Sequence, residues 1–240
     1  MGESLDDIIG LPPSYVLSLP TKLKYDPKNC AAAFSRDVEL CSTISALDKI
    51  LSSLYSLNPA SHIHLRNVFL RRILLFRFNN GHEVNREIDG ISEILIDDKL
   101  LVVVVEEKSR KTPKLSNYLQ VASEVLYVIL DVLGRKKNID KFLSDNRPKI
   151  FLGYLAYRDN GIVELVVKAE IKNGIISLDI YFEDKVFNLS YDYNSLVVLL
   201  SNNRENVENG ILKTLCTNYY TEQIVQLCNS KEYNIIKDLK

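Results

Sequence analysis

The sequence predicts an α/β protein: a mixed central sheet flanked by helices, with an N-terminal helical lead-in and, after the core, antiparallel strands plus further helices. Three observations carry this. Apolar residues recur at helical spacing over long windows at 35–57 and 112–134. Short segments of period two, separated by turn residues, lie before and after the second window. Residues 101–105 and 150–157 are apolar on both faces, as strands covered from both sides are.

In order along the chain, Pro12, Pro13, Pro20 and Pro27 break the first thirty residues into extended segments, because each fixes its own φ and restricts its predecessor. Val38, Cys41, Ile44, Leu47, Leu51 and Leu54 then define a helix that Asn58-Pro59 ends. Leu65, Val68, Phe69, Ile73 and Phe76 repeat at three and four, which predicts a second helix from Ser61 to the stop at Asn79-Asn80-Gly81. Its other face holds Arg66, Arg71, Arg72 and Arg77 without an acidic residue. The period then becomes two: strands are expected at 83–88, 91–96 and 100–108, separated by Asp89-Gly90 and Asp97-Asp98-Lys99. Thr112-Pro113 opens a long helix to about Gly134, and 150–157 forms another buried strand. Segments 162–171 and 175–189 read as an antiparallel extension joined at Asn173-Gly174. Helices are expected at 195–200, 209–219 and 221–227.

The chain has 240 residues, of which 46% are hydrophobic and 25% charged, with 9 Gly and 7 Pro, and this excludes collagen, disorder and coiled coil. With no repeat or low-complexity linker, one domain is expected over 1–240: a core at about 61–157, an N-terminal arm and helix at 1–60, and a β/α extension at 158–240. No run reaches the roughly 18 to 20 apolar residues of a membrane span. The first ten residues carry Glu3, Asp6 and Asp7 where a secretory leader has basic residues. An intracellular, cytoplasmic protein without a membrane partner is the expectation. A net charge of −1 means that any polyanion must bind through local patches.

The informative constellation is Asp89-Gly90 followed by Glu106-Glu107-Lys108 at the end of the third strand. Residues two apart share a strand face, so Glu106 and Lys108 project together and Glu107 points away. A neighbouring strand carrying Asp89 sets its carboxylate beside Glu106. Two such groups repel unless a cation lies between them, and oxygen-only donors suit a hard ion such as Mg²⁺ or Mn²⁺. Lys108 is then placed to orient water and offset charge on a phosphate. The acid-x-Lys pattern also occurs at Asp26-Pro27-Lys28, Glu170-Ile171-Lys172 and Glu183-Asp184-Lys185, but only Glu106 ends a buried strand with an Asp-Gly before it and a basic helix entry after it.

Arg86-Glu87-Ile88-Asp89-Gly90-Ile91 with Val103-Val104-Val105-Glu106-Glu107-Lys108-Ser109 resembles the PD-(D/E)XK nuclease superfamily, over residues 61–157. Gln120 and Tyr127 on the following helix resemble the Gln and Tyr of its RecB-like branch, and Lys108-Ser109-Arg110-Lys111 resembles the archaeal Holliday-junction resolvases. The resemblance implies a restriction-endonuclease-like core and a Mg²⁺-dependent nuclease acting on DNA. Asp89, Glu106 and the Glu107 backbone carbonyl would hold the ion, with Lys108 and Gln120 completing the catalytic set. Ile88 stands where the family name has Pro, and the helix expected at 61–78 has no Glu, so Glu83, Glu87 or Glu93 is left to supply a further ligand.

For nucleic-acid contacts the candidates are Arg71, Arg72, Arg110, Lys111, Lys114 and Tyr127, with Arg135-Lys136-Lys137 either joining them or offsetting a helix C-terminus. The alternative function is a protein of the same fold that binds nucleic acid or a protein partner without catalysis. His62 and His64 read as surface residues. Cys30, Cys41, Cys216 and Cys228, without metal-knuckle spacing, read as plain thiols, with an iron–sulfur cluster or disulfides as alternatives. Leu215, Tyr219 and Tyr220 either pack or form a homodimer face.

Overall fold

A computed structural model describes residues 17–28, 37–97, 99–109, 114–182, 185–201 and 204–218. Eight strands form one sheet: β1 (Lys22–Lys24), β2 (Ile63–Arg77), β3 (Glu83–Ile96), β4 (Lys99–Lys108), β5 (Lys149–Tyr157), β6 (Ile162–Lys172), β7 (Ile175–Phe182) and β8 (Lys185–Tyr191). The order is β2-β3-β4-β5-β6-β7-β8, with β1 added against β6. Among the described strands, only β4 and β5 run parallel. Between them comes the long helix α2 (Leu115–Gly134), the crossover that a parallel pair requires. The other helices among the described residues are α1 (Val38–Leu57), α3 (Ile139–Ser144), α4 (Tyr193–Leu200) and α5 (Arg204–Asn218).

Alternation along the buried strands sends side chains to two cores. Val102, Val104, Phe151 and Leu155 face α2, which packs in turn against α4 and α5. Leu101, Val103, Val105, Leu152 and Tyr154 face α1 and the lead-in residues Leu19 and Leu23. Asp37 caps α1 by accepting the Leu40 N–H, and the buried carboxamide of Asn58 closes its far end by donating to the Leu54 and Ser18 carbonyls. Gly153 of β5 lets α2 sit close to the sheet, since a Cβ there would lie 2.5 Å from a Val121 methyl and 2.9 Å from one of Val125. Gly153→Ala is therefore expected to destabilise the fold by about 1–3 kcal/mol through overpacking, read as a lowered urea midpoint.

The segment expected as a helix from Ser61 is strand β2. Two phase slips in its alternation explain the helical spacing. The β2–β3 register shifts between Leu65 and Asn67. At Arg71, which has φ of 49°, the faces exchange: Leu70 joins the α1 side, whereas Arg72 and Leu74 turn to the α2 side. Asn79-Asn80-Gly81 is then a hairpin turn, with Gly81 at φ 80° and its N–H donating to the Phe78 carbonyl. Residues expected as two strands separated at Asp89-Gly90 form the single strand β3, whose alternation reverses phase there: Ile88 and Ile91 both face α2, and Gly90 faces Thr43 and Leu47 of α1. The segment 175–189 divides into β7 and β8, and α3 is an addition. The remaining expected strands and helices occur within a few residues of their bounds, except that 221–227 lies outside the described residues.

No helix among the described residues is long and apolar enough to cross a membrane. Cys41 and Cys216 are both disulfide-bonded, which replaces the plain-thiol reading for these two; Cys30 and Cys228 lie outside the described residues. Leu215 is buried in the α2-side core and so cannot form a dimer face, while Tyr219 and Tyr220 also lie outside the described residues.

Candidate active site at the fork between two strands

The β3–β4 ladder ends at Gly90 opposite Val105. One step further, where the register sets Asp89 against Glu106, the Asp89 carboxylate replaces the backbone acceptor: its Oδ2 receives the Glu107 N–H at 2.8 Å. Asp89 is also missing from the β2–β3 pairing, between Leu70 opposite Gly90 and Arg72 opposite Ile88. The central strands are thus locally unpaired at this residue. Because the N–H and C=O of a strand residue project to the same edge, the Glu107 carbonyl faces β3 as well.

Glu106 and Lys108 share the α2 face of β4, as period two requires. Lys108 Nζ lies 2.5 Å from Glu106 Oε1, and Gln120 of α2 donates to that oxygen at 2.5 Å and to Glu124 Oε1 at 2.8 Å. Gln120 and Glu124 are one helical turn apart on one face of α2. The structure therefore brings Asp89, Glu106, Lys108 and Gln120 together. Behind them Glu124, fully buried, faces Arg86, whose Nη2 lies 4.0 Å away and donates to Ser123 at 3.1 Å. On the opposite, α1 face of β4, buried Glu107 approaches Arg158 at 3.4 Å.

Carboxylates dominate the electrostatics. Burial, reinforced by the charge of Glu106, pushes the Asp89 carboxyl up from its ordinary 3.8 to about 7. Burial likewise raises Glu107 from 4.5 to about 7 against the opposing pull of Arg158. Glu124 is held well above the usual carboxylate range by burial and then by Glu106. Acids with raised values bind more protons folded than unfolded between roughly pH 4 and 7, so their contribution to stability is present at acid pH and lost as pH rises through 7. In EDTA, the melting temperature is expected to be lower near pH 8 than near pH 5, at up to about 1.4 kcal/mol per pH unit for each such group. Asp89→Asn should flatten that slope; an unchanged slope would place the Asp89 carboxylate in water.

Glu39, in the first turn of α1, acts by its charge on both Asp89 and Glu107. It stands on α1, the helix that precedes the strands now that 61–78 is a strand, and lies 4.0 Å from Arg71. The acids expected as a further ligand are elsewhere: Glu83 pairs with Arg77, Glu93 with Arg135 and Asn67, and Glu87 is exposed. Spacing of four from Gln120 could have pointed to Glu124; nothing local marked Arg86 or Arg158.

The expected nucleic-acid surface changes more. Arg71 and Arg72 turn to opposite faces, Arg71 to Asp37 at 2.6 Å, and Arg72 to Asp131 at 3.1 Å and over the Phe69 ring. Neither belongs to a shared basic stripe. Tyr127 is fully buried against Phe76, with its hydroxyl donating to the Leu200 carbonyl, so no base can stack on it. Arg135 is held by Glu93 and Asp131. Lys114 is exposed at the N-cap of α2, where its backbone N–H donates to Asn117 Oδ1 at 2.9 Å, and Arg110 and Lys111 lie outside the described residues. His64 is exposed and His62 is the exposed-strand neighbour whose N–H donates to Asp97, so neither is drawn into the site.

Among the described residues no three His, Cys, Asp or Glu side chains are grouped to hold a metal ion by themselves. A cation between Asp89 and Glu106 would thus have two carboxylates and, at the same edge, the Glu107 carbonyl, with water completing the shell; this is a donor set that suits Mg²⁺ or Mn²⁺. Comparison of the chain with protein-family models, with curated proteins and with solved structures gives no match.

Proposed function

We propose that this protein is a metal-dependent nuclease that hydrolyses DNA phosphodiester bonds on a restriction-endonuclease-like core. The observation that supports the reading most is the meeting of Asp89, Glu106, Lys108 and Gln120 where β3 and β4 part, with the Asp89 carboxyl raised to about 7 by burial and by Glu106. A pair that holds a proton in this way is poised to exchange it for a divalent ion. Bound Mg²⁺ or Mn²⁺ would supply polarisation of the scissile phosphate and a more acidic water.

The chain's own groups do the rest. Gln120 fixes Glu106 through Oε1 and ties it to Glu124, so the carboxylate orientation is set before any ligand arrives. Lys108, partly exposed beside Glu106, would donate to a phosphate oxygen or to the attacking water and offset the charge that grows there. The sheet backbone holds the Glu107 carbonyl at the same edge. A second reading, a protein of this fold that binds without cutting, draws on the contacts that Lys108 and Gln120 already make to Glu106, which satisfy that carboxylate without a cation.

Linear, single-stranded and branched DNA incubated with Mg²⁺ or Mn²⁺ separates the two. Cleavage that EDTA stops is expected, together with a rise in melting temperature on adding Mg²⁺ near pH 8 that is absent near pH 5. DNA left intact in every case would favour the binding protein.

A further inference from the structure

A second site lies at the other end of the sheet. Leu100 at the start of β4 is six residues from Glu106, about 20 Å along the strand. There a cleft of about 330 Å³ opens between β2, the end of α2 and the segment that enters β5. Arg66, Lys136, Arg147 and Lys149 line it, with a single carboxylate, Asp145.

That carboxylate is already engaged. Arg147 grips its Oδ2 through Nε at 2.9 Å and Nη2 at 2.7 Å, which holds the Asp145 carboxyl down at about 2. Lys149 is buried, and its ammonium donates to the Asp145 backbone carbonyl, a neutral acceptor, while the Asp145 carboxylate, gripped by Arg147, acts on it only by its charge. Among the described residues no salt bridge joins Arg66 or Lys136 to a carboxylate; the acid whose charge acts on Lys136, Glu93, is itself paired with Arg135. The Phe142 ring holds both ammonium groups, Lys136 Nζ at 4.8 Å and Lys149 Nζ at 5.0 Å from its centroid, but a ring quadrupole supplies no net charge. Burial, and next to it the neighbouring cations, lowers the proton affinity of Lys136. Converging cations, one of them buried, are costly to keep without a counter-anion.

We infer that this cleft binds an oligophosphate anion, either free or carried on a nucleoside. A lone carboxylate would answer one of the three cations that make no salt bridge among the described residues, Arg66, Lys136 and Lys149. Two or three linked phosphates bring several charges and many acceptor oxygens, and ammonium groups meet phosphate as point charges without the planar geometry that a carboxylate pair prefers. The volume suits such a ligand and is too small for a duplex.

Calorimetric titration of the full chain in EDTA, at physiological ionic strength, with sodium pyrophosphate and separately with ATP, tests this. Saturable one-to-one binding is expected, and Lys136→Ala and Arg66→Ala should each weaken it about tenfold, the loss of one charge-assisted contact. Equal affinity for the two probes would identify a site for phosphates alone; tighter ATP binding would identify a nucleotide site. Lys149→Met, if it folds, should weaken binding further, while the two surface variants carry the test if it does not. Asp89→Asn should leave pyrophosphate binding unchanged, so the result stands apart from the nuclease reading. No binding at millimolar probe, affinity insensitive to Lys136→Ala and Arg66→Ala, or displacement of pyrophosphate by duplex DNA would overturn the assignment.

Discussion

Asp89→Asn and Glu106→Gln are each expected to lower metal-dependent DNA cleavage by about 10³-fold or more. Both are isosteric, so the fold has little reason to change. In the first variant the new carboxamide oxygen would still accept the Glu107 N–H that Asp89 Oδ2 now takes at 2.8 Å. What disappears is one of the two negative charges that a cation would bridge. In EDTA at alkaline pH, Asp89→Asn should raise the melting temperature, because the wild-type pair must carry two like charges there once the Asp89 carboxyl ionises near 7. A loss of cleavage joined to a gain in metal-free stability is a signature that a merely structural carboxylate does not give. Cleavage at the wild-type rate in either variant would sink the nuclease proposal.

Lys108→Met is expected to reduce the single-turnover rate by about 10²-fold while changing DNA affinity by less than about threefold. Lys108 shares the α2 face with Glu106, and its ammonium lies 2.5 Å from Oε1, within reach of whatever binds that carboxylate. Charge that develops only in the transition state is offset by this group, and binding before the reaction depends on it less. Lys114→Ala is the contrast: at the entry to α2, it should lose affinity at moderate salt and keep a near-normal rate at saturation. If Lys108→Met cuts as the wild type does, Glu106 and Lys108 are an ion pair at a strand end, and the binding protein becomes the better reading.

Local pattern carried the buried parts of the fold well. The runs at 101–105 and 150–157 are apolar on both faces and occur as the adjacent parallel strands β4 and β5, because a strand covered by helices on both sides has no solvent face to mark with polar residues. The helices α1 and α2 announce themselves by one continuous apolar stripe. Edge strand β2 did not, since Leu65, Val68, Ile73 and Leu75 are exposed and its alternation slips twice, so the apolar spacing imitates a helix. The distinction rests on pairing with β3, a contact between segments that no window of either contains.

The chemistry divides in the same way. By itself the sequence determined that Glu106 and Lys108 share a face and that Glu107 faces away, because period two along a strand settles these positions; Asp89 was expected beside Glu106 on an adjacent strand, and Gln120 only through the resemblance to a known family. Tertiary structure alone decided the charge environment: Glu39 arriving from α1, Glu124 and Arg86 buried behind Gln120, Arg71 and Arg72 drawn to opposite faces by Asp37 and Asp131, and Tyr127 sealed in the core. The phase reversal at Asp89 shows why. A single residue turned out of two ladders redirects every side chain after it, and which partners those side chains then meet depends on elements far along the chain, as Arg86 and Glu208 are from one another.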